Sequence, residues 1–318
     1  MKHILAVFIA AASYGILSTF VVLAYDEGYT LGDVVGTQLL VGFILTWLLA
    51  LFIDLKKKNK VGTGTLKAEK SSVQNKVSSF TWKKKLLLMA AGIPIGLTGL
   101  LYYQSLHYVP ASLAILLLFQ FAWIGVLIES IIKRKRPDKI IYLTLAILFS
   151  GTILAAGMIE QGIGKFHILG IVFGLLAAVS YSLFMLFSGK VVPNEHPVTR
   201  TKWMLTGGLL FVFIVFPPEF LWNGEIFSSL ILFGALLGFF GAFLPPLLFA
   251  YGVPHIGEGM AGILGAAELP VAVMLSSLVL HEEVSFLQWI GVVIVLIGVA
   301  YPEIIKMRSK KSNAVTSG

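Results

Sequence analysis

Apolar stretches of about 20 residues, separated by short polar segments, run along the whole chain. A stretch of that length crosses a bilayer as a helix. Ten spans are predicted, at roughly 3–24, 34–53, 84–106, 110–132, 140–157, 167–189, 203–221, 228–251, 257–280 and 286–305. Gly and Pro fall inside several of them, which membrane helices tolerate because neighbours re-satisfy the freed backbone groups. The first stretch starts like a signal peptide, with Lys2 before an apolar run reaching Ala10-Ala11-Ala12. The run continues to Ala24, so it is read as a retained span.

The pattern also repeats. Tyr103-Gln104-Ser105-Leu106-His107-Tyr108 and Tyr251-Gly252-Val253-Pro254-His255-Ile256 stand at an offset of 148 residues. That offset also brings Ile115-Leu116 onto Ile263-Leu264 and Gln120 onto Glu268. Nearer the start, Ser13-Tyr14 matches Ser180-Tyr181. Two weakly similar apolar halves mark transporters built from internal repeats, with the binding site between them. Five spans per half is an odd number, so the second half enters the membrane from the opposite side. The expected fold is an all-α integral membrane protein with ten transmembrane helices in two inverted five-helix repeats. Residues 1–157 form the first repeat, carrying a flexible basic loop at 54–83; 158–305 form the second, and 306–318 a basic tail.

Composition agrees: 57% of residues are hydrophobic and 13% charged, about half the charge of a soluble domain. The net charge of +8 would suit nucleic acid, but its distribution gives a different reason. With the N-terminus inside, inside segments hold 23 of the 24 Lys and Arg, and only Lys165 falls outside. That asymmetry sets membrane orientation, with both termini cytoplasmic in the cell membrane. It leaves nucleic acid unnecessary as a partner, and the basic loop is read as topology and solubility in preference to lipid binding. There are no cysteines, which excludes disulfides and thiol chemistry.

The segments Ser105–Phe121 (SLHYVPASLAILLLFQF) and Gly252–Val299 carry a family resemblance. The second leads from a small-residue helix to Glu268 and Pro270, then an apolar run, His281-Glu282, and a last helix with Gly291 and Gly298. In this the chain resembles the EamA-type branch of the drug/metabolite transporter superfamily, over about residues 1–305. The resemblance implies ten helices, a central cavity between the halves, and alternating access for small organic solutes. The chain departs from the family at Phe119-Gln120-Phe121-Ala122, where a proline is usual. It departs again at Arg134, the offset mate of Glu282, and at Gln38, where family members often carry a basic residue.

Glu268 is the sharpest candidate, an acidic residue within an otherwise uncharged span. A carboxylate at that depth is costly and usually faces a cavity. It either exchanges a proton as access alternates or is held as a hydrogen-bonded strut between helices. Gln38, Gln104 and Gln120 are deep amides that serve as interhelical glue or as solute contacts. Tyr14, Tyr103 and Trp123 sit away from span ends and either pack or line the cavity. His107 and His255 are repeat mates beside turns, Glu282 and Glu283 suit the N-terminal dipole of the last span, and Gly92/Gly96, Gly170/Gly174 and Gly234/Gly238 permit close helix contact.

No catalytic constellation, metal cluster or cofactor motif stands in the spans, and the glycine pattern at Gly257–Gly262 lacks the strand a dinucleotide site requires. No ATP-binding loop is present either. With no ATP-binding loop the expected function is a secondary transporter, and the resemblance implies a small organic metabolite, an amino acid or drug-like solute, as its cargo. The resemblance implies export as the direction, and Glu268 offers a proton as coupling ion. A sugar uptake permease is the alternative transporter, and a channel or non-transporting membrane scaffold the alternative class.

Overall fold

The structure, a computed structural model, describes residues 1–62, 81–134, 139–155, 167–192, 195–256, 264–265 and 267–316. Most of the basic loop and the segment 257–263 lie outside the described residues. Every regular element among the described residues is helical. In chain order these are α1 (Lys2–Gly15), α2 (Leu17–Asp26), α3 (Leu31–Gly62), α4 (Trp82–Ser105), α5 (Ala111–Leu118) and α6 (Phe121–Lys133). There follow α7 (Lys139–Ala155), α8 (Ile168–Lys190), α9 (Pro197–Val215), α10 (Leu230–Leu237), α11 (Leu244–Ile256), α12 (Glu268–Val279) and α13 (Phe286–Thr316).

Six described spans are long and apolar enough to cross a membrane: Lys2–Asp26, Leu31–Lys56, Trp82–Ser105, Ile168–Phe187, Pro197–Val215 and Leu230–Phe249. Shorter apolar helices cover Ala111–Gly125, Tyr142–Ala155, Glu268–Val279 and Phe286–Gly298. Large apolar side chains point outward from these spans, with Phe149 67% and Ile214 81% exposed. In water such a girdle would drive association; against lipid tails it costs nothing.

Several spans are interrupted. The first breaks at Ile16, whose N–H bonds back to the Ser13 carbonyl at 3.4 Å. The fourth breaks at Phe119-Gln120, between α5 and α6. The eighth carries a π-helical turn at Gly238–Phe243 before α11. The expected helix at 203–221 begins already at Pro197, where the His196 ring accepts from the Val198 N–H, and it ends at Val215, just before Pro217-Pro218.

Glycines bring helix backbones together. A Cβ on Gly92 would lie 1.8 Å from the Met204 carbonyl oxygen, and one on Gly207 would lie 2.0 Å from that of Met89. Those two contacts fix the crossing of α4 and α9. Gly170 and Gly174 seat α8 against Val109 and Leu117, while Gly234 and Gly238 seat the eighth span against Thr37 and Val41 of α3.

The helix ends have local and remote caps. Ser285 and Gln288 form a reciprocal capping box for α13, with Ser285 N–H to Gln288 Oε1 at 2.7 Å and Gln288 N–H to Ser285 Oγ at 3.1 Å. Glu282 is spent elsewhere. Its carboxylate accepts from the N–H groups of Ala111 and Ser112, at 2.6 and 3.2 Å, and so caps α5 in the other half of the chain. The dipole argument for Glu282 applies, but to α5 instead of the last span.

Candidate functional site

Glu268 opens α12, and α12 lies against α1, α2 and α5. The approach to α1 depends on Gly15, where a Cβ would come within 2.5 Å of the Glu268 carbonyl oxygen. The helix break at Ile16 follows immediately. The offset mate of Glu268, Gln120, stands at a break between α5 and α6. Interrupted helices leave backbone groups unpaired within the membrane, and they persist where they line a cavity or a ligand site.

Three tyrosines from three helices feel the charge of the carboxylate. Tyr14 of α1, Tyr102 of α4 and Tyr181 of α8 all lie within electrostatic reach of Glu268. Tyr103 adjoins Tyr14 electrostatically, and its hydroxyl donates to Gln38 Oε1 at 2.7 Å. The Tyr102 and Tyr103 rings stand 5.7 Å apart. Among the described residues no cation neighbours Glu268, and it forms no ion pair. Its side chain remains part-exposed inside the bundle.

Several buried hydroxyls of α2 and α4 lack a well-formed partner. The hydroxyls of Tyr102, Ser18, Thr19 and Ser105 are buried without a well-formed hydrogen bond. Ser18 and Tyr102 adjoin one another but are not aligned to bond fully. A buried hydroxyl without a partner costs on the order of 1–3 kcal/mol. Such groups are the places where water or a solute makes up the missing bonds.

The candidate residues separate into groups. Tyr14, Tyr103 and Gln38 join the Glu268 cluster. Gln120 and Trp123 form another. The Gln120 amide donates to Thr152 Oγ1 and to the Leu116 carbonyl, both at 2.9 Å, and accepts from Trp123 Nε1 at 2.7 Å. This ties the α5–α6 break to α7 and uses both ends of the amide. Gln104 faces Tyr108, one turn on, at 3.5 Å near the end of α4. Tyr102, Tyr181 and Ser18 stand in the Glu268 cluster but were not expected there. Tyr181 is the repeat mate of Tyr14, and Ser18 follows Tyr14 by one helical turn, so both were open to detection.

The outer neighbour of this cluster titrates. The Tyr25 ring stacks on His107 at 4.0 Å, and its hydroxyl donates to the Tyr103 carbonyl at 3.2 Å. His107 lies just beyond the end of α4, and burial pushes its imidazole below the ordinary value. The unfolded chain therefore takes up this proton first as pH falls below about 6.5. The stability contribution is complete above that pH and is lost toward acid. Thermal unfolding of the wild type should show an acid-sensitive component between about pH 7 and pH 5 that His107→Gln removes. An unchanged acid slope in the variant would assign that sensitivity to other groups.

Comparison with known proteins places this arrangement. The chain matches the EamA-like transporter family over residues 1–157 and 168–301. It is 24% identical over 216 residues to an uncharacterized transporter, sll1319, of Synechocystis, covering 67% of this chain and 64% of that protein. The match thus spans slightly less than two thirds of that relative. It is 26% identical over 212 residues to the threonine/homoserine exporter RhtA of Escherichia coli K12, covering 66% of this chain and 68% of that one. A solved crystal structure superposes with a TM-score of 0.63 at 16% identity, covering 96% of this chain and 98% of the other, which extends the likeness of fold to nearly the full length. The chain belongs to the EamA-like transporter family.

Proposed function

We propose that the protein is a secondary transporter that exports a small amino-bearing solute, an amino acid or a related compound, in exchange for protons. The observation that carries this reading is the Glu268 carboxylate, which has no cationic neighbour among the described residues and lies within electrostatic reach of three tyrosines at the start of α12. A lone carboxylate attracts an ammonium group or a proton, and the two compete for it. The unused hydroxyls of Tyr102 and Ser18 suit the opposite pole of a zwitterion. The name of RhtA, an exporter of amino acids, agrees with that choice.

The same proposal includes ten membrane helices in two inverted repeats, divided near residue 157, with both termini cytoplasmic. Its supports are the offset-related halves and the 23-to-1 distribution of Lys and Arg. The binding site then lies where the halves meet, and rocking of one half against the other exposes it to either side.

A thermal-shift screen tests the solute class. Amino acids, including threonine and homoserine, amines, sugars and purines are each added to purified protein. A true solute at a hundred times its Kd stabilises by about 2.7 kcal/mol. Amino-bearing compounds should raise the melting temperature, while neutral sugars should not. Stabilisation by sugars without stabilisation by any amino compound would overturn the assignment.

A further inference from the structure

Residues far apart in sequence are tied together beside the Glu268 cluster. Pro110 stands at the N-cap of α5 and has no side-chain acceptor to offer, so the first N–H groups of that helix find no local cap. Glu282, about 170 positions later, supplies one: one carboxylate oxygen accepts from the Ala111 N–H at 2.6 Å, the other from the Ser112 N–H at 3.2 Å. A carboxylate held by two N–H groups at the positive end of a helix is a charge-assisted contact, stronger than a neutral one.

Glu282 is itself fixed to α12. Its N–H returns to the Ser276 carbonyl at 3.2 Å, an oxygen that also accepts from the Leu280 N–H at 3.1 Å. Between them His281 holds φ at +54°, in the left-handed region that is costly for a residue with a Cβ. Such conformations persist only where their surroundings hold them, and they gather at clamps and switch points. One helix thus begins at the Glu268 carboxylate and is joined at its other end to Glu282. Tyr102 of the Glu268 cluster lies within electrostatic reach of Glu282 as well.

We propose that the Glu282 carboxylate is a latch that keeps the bundle closed over the Glu268 cluster, at the end where α12 stops and α5 starts, and that it lets go of α5 each time the site opens there. This rests on the alternating-access reading above, in which the site opens to each side in turn. A serine or aspartate at the N-cap would satisfy α5 locally, with no tie to another helix. The contact observed instead binds the start of α5 to the end of α12, two helices that lie against each other. It is made by one side chain, and the freed N–H groups and carboxylate can exchange it for water when the helices part.

Access to the cluster tests this. The chain has no cysteine, so Ser18→Cys, a near-isosteric change at a residue 1% exposed that adjoins Tyr102, serves as reporter. The full-length protein in vesicles of known orientation is treated with a membrane-impermeant maleimide from one face at a time, with no solute and no pH gradient. Labelling follows the open fraction, so Glu282→Gln should raise it from the Glu282 face about tenfold and Glu282→Ala about thirtyfold. Labelling from the opposite face should not rise. Ala111→Pro reaches the same contact from α5: it removes the N–H that donates at 2.6 Å, while Pro110, at φ −55° and ψ 151°, already has the conformation a following proline requires. It should match Glu282→Gln and add little in combination with it. Glu283→Gln, on the exposed neighbour, should label like the reporter alone. Unchanged labelling in a Glu282→Gln or Ala111→Pro protein that melts like the reporter would overturn the latch. A comparable rise in Glu283→Gln would overturn it too, as would a rise from both faces, the sign of a bundle loosened throughout. The readout uses neither solute nor proton gradient, so a failed latch leaves the Glu268 reading standing, and a failed Glu268 reading leaves the latch standing.

Discussion

Glu268→Gln should abolish proton-driven accumulation of solute while leaving solute-for-solute exchange intact. Gln keeps the size and hydrogen-bonding capacity of the carboxyl group but can neither take up nor release a proton. If protons and solute take turns at this one carboxylate, the variant loses the proton half of the cycle. Exchange requires only that the loaded site face each side in turn. It should persist at a higher solute concentration, since losing a charge-assisted hydrogen bond costs on the order of 1.5–3 kcal/mol, or roughly a ten- to hundredfold loss in affinity. The readings are accumulation under an imposed pH gradient and exchange without one, in the same proteoliposomes. If Glu268 is only a strut, Gln replaces it quietly and the dependence on pH is unchanged. That result, in a protein that melts like the wild type, would end the proton-coupling proposal.

The second large effect is structural. Gly207→Leu should destabilise the protein by about 4 kcal/mol or more, the range reserved for changes with a specific steric cause. Even the first added carbon lands 2.0 Å from the Met89 carbonyl oxygen, and Gly92 makes the matching contact with Met204 at 1.8 Å. These neighbours are backbone atoms of a helix and cannot rotate aside, so α4 and α9 must separate. Gly28→Ala is the control: its φ of +91° implies modest strain, but nothing lies within 4 Å of an added carbon. Thermal unfolding in detergent should place Gly207→Leu far below both the wild type and Gly28→Ala. Similar melting of all three would refute the close crossing.

The apolar runs made the helices legible, because bilayer thickness sets one length for all of them. Their interruptions were less legible. Gln120 and Ile16 sit in apolar surroundings without a proline, and the residues alone gave no reason to stop a helix there. Long-range capping was hidden altogether. Glu282 stands beside the last span in sequence, yet it serves the start of α5, some 170 positions away in the chain. The role of Glu268 as a candidate came from charge at depth, a property of one residue and its neighbours in sequence. The tyrosines around it come from α1, α4 and α8, and only the Tyr14–Tyr181 repeat pair hinted at their convergence. Gln120 was legible as a deep amide; its partner Thr152, on α7, was not.

Counterflow in proteoliposomes tests the central claim, that solute crosses by alternating access to one site. Vesicles holding the purified protein are loaded with an unlabelled solute identified by thermal shift and diluted into a trace of the labelled compound, with no ion gradient. Labelled solute should accumulate transiently above its equilibrium level, driven by outward movement of the unlabelled pool through the same site. Uptake that only approaches equilibrium and is indifferent to the loaded solute would show an open pore, and would contradict the account.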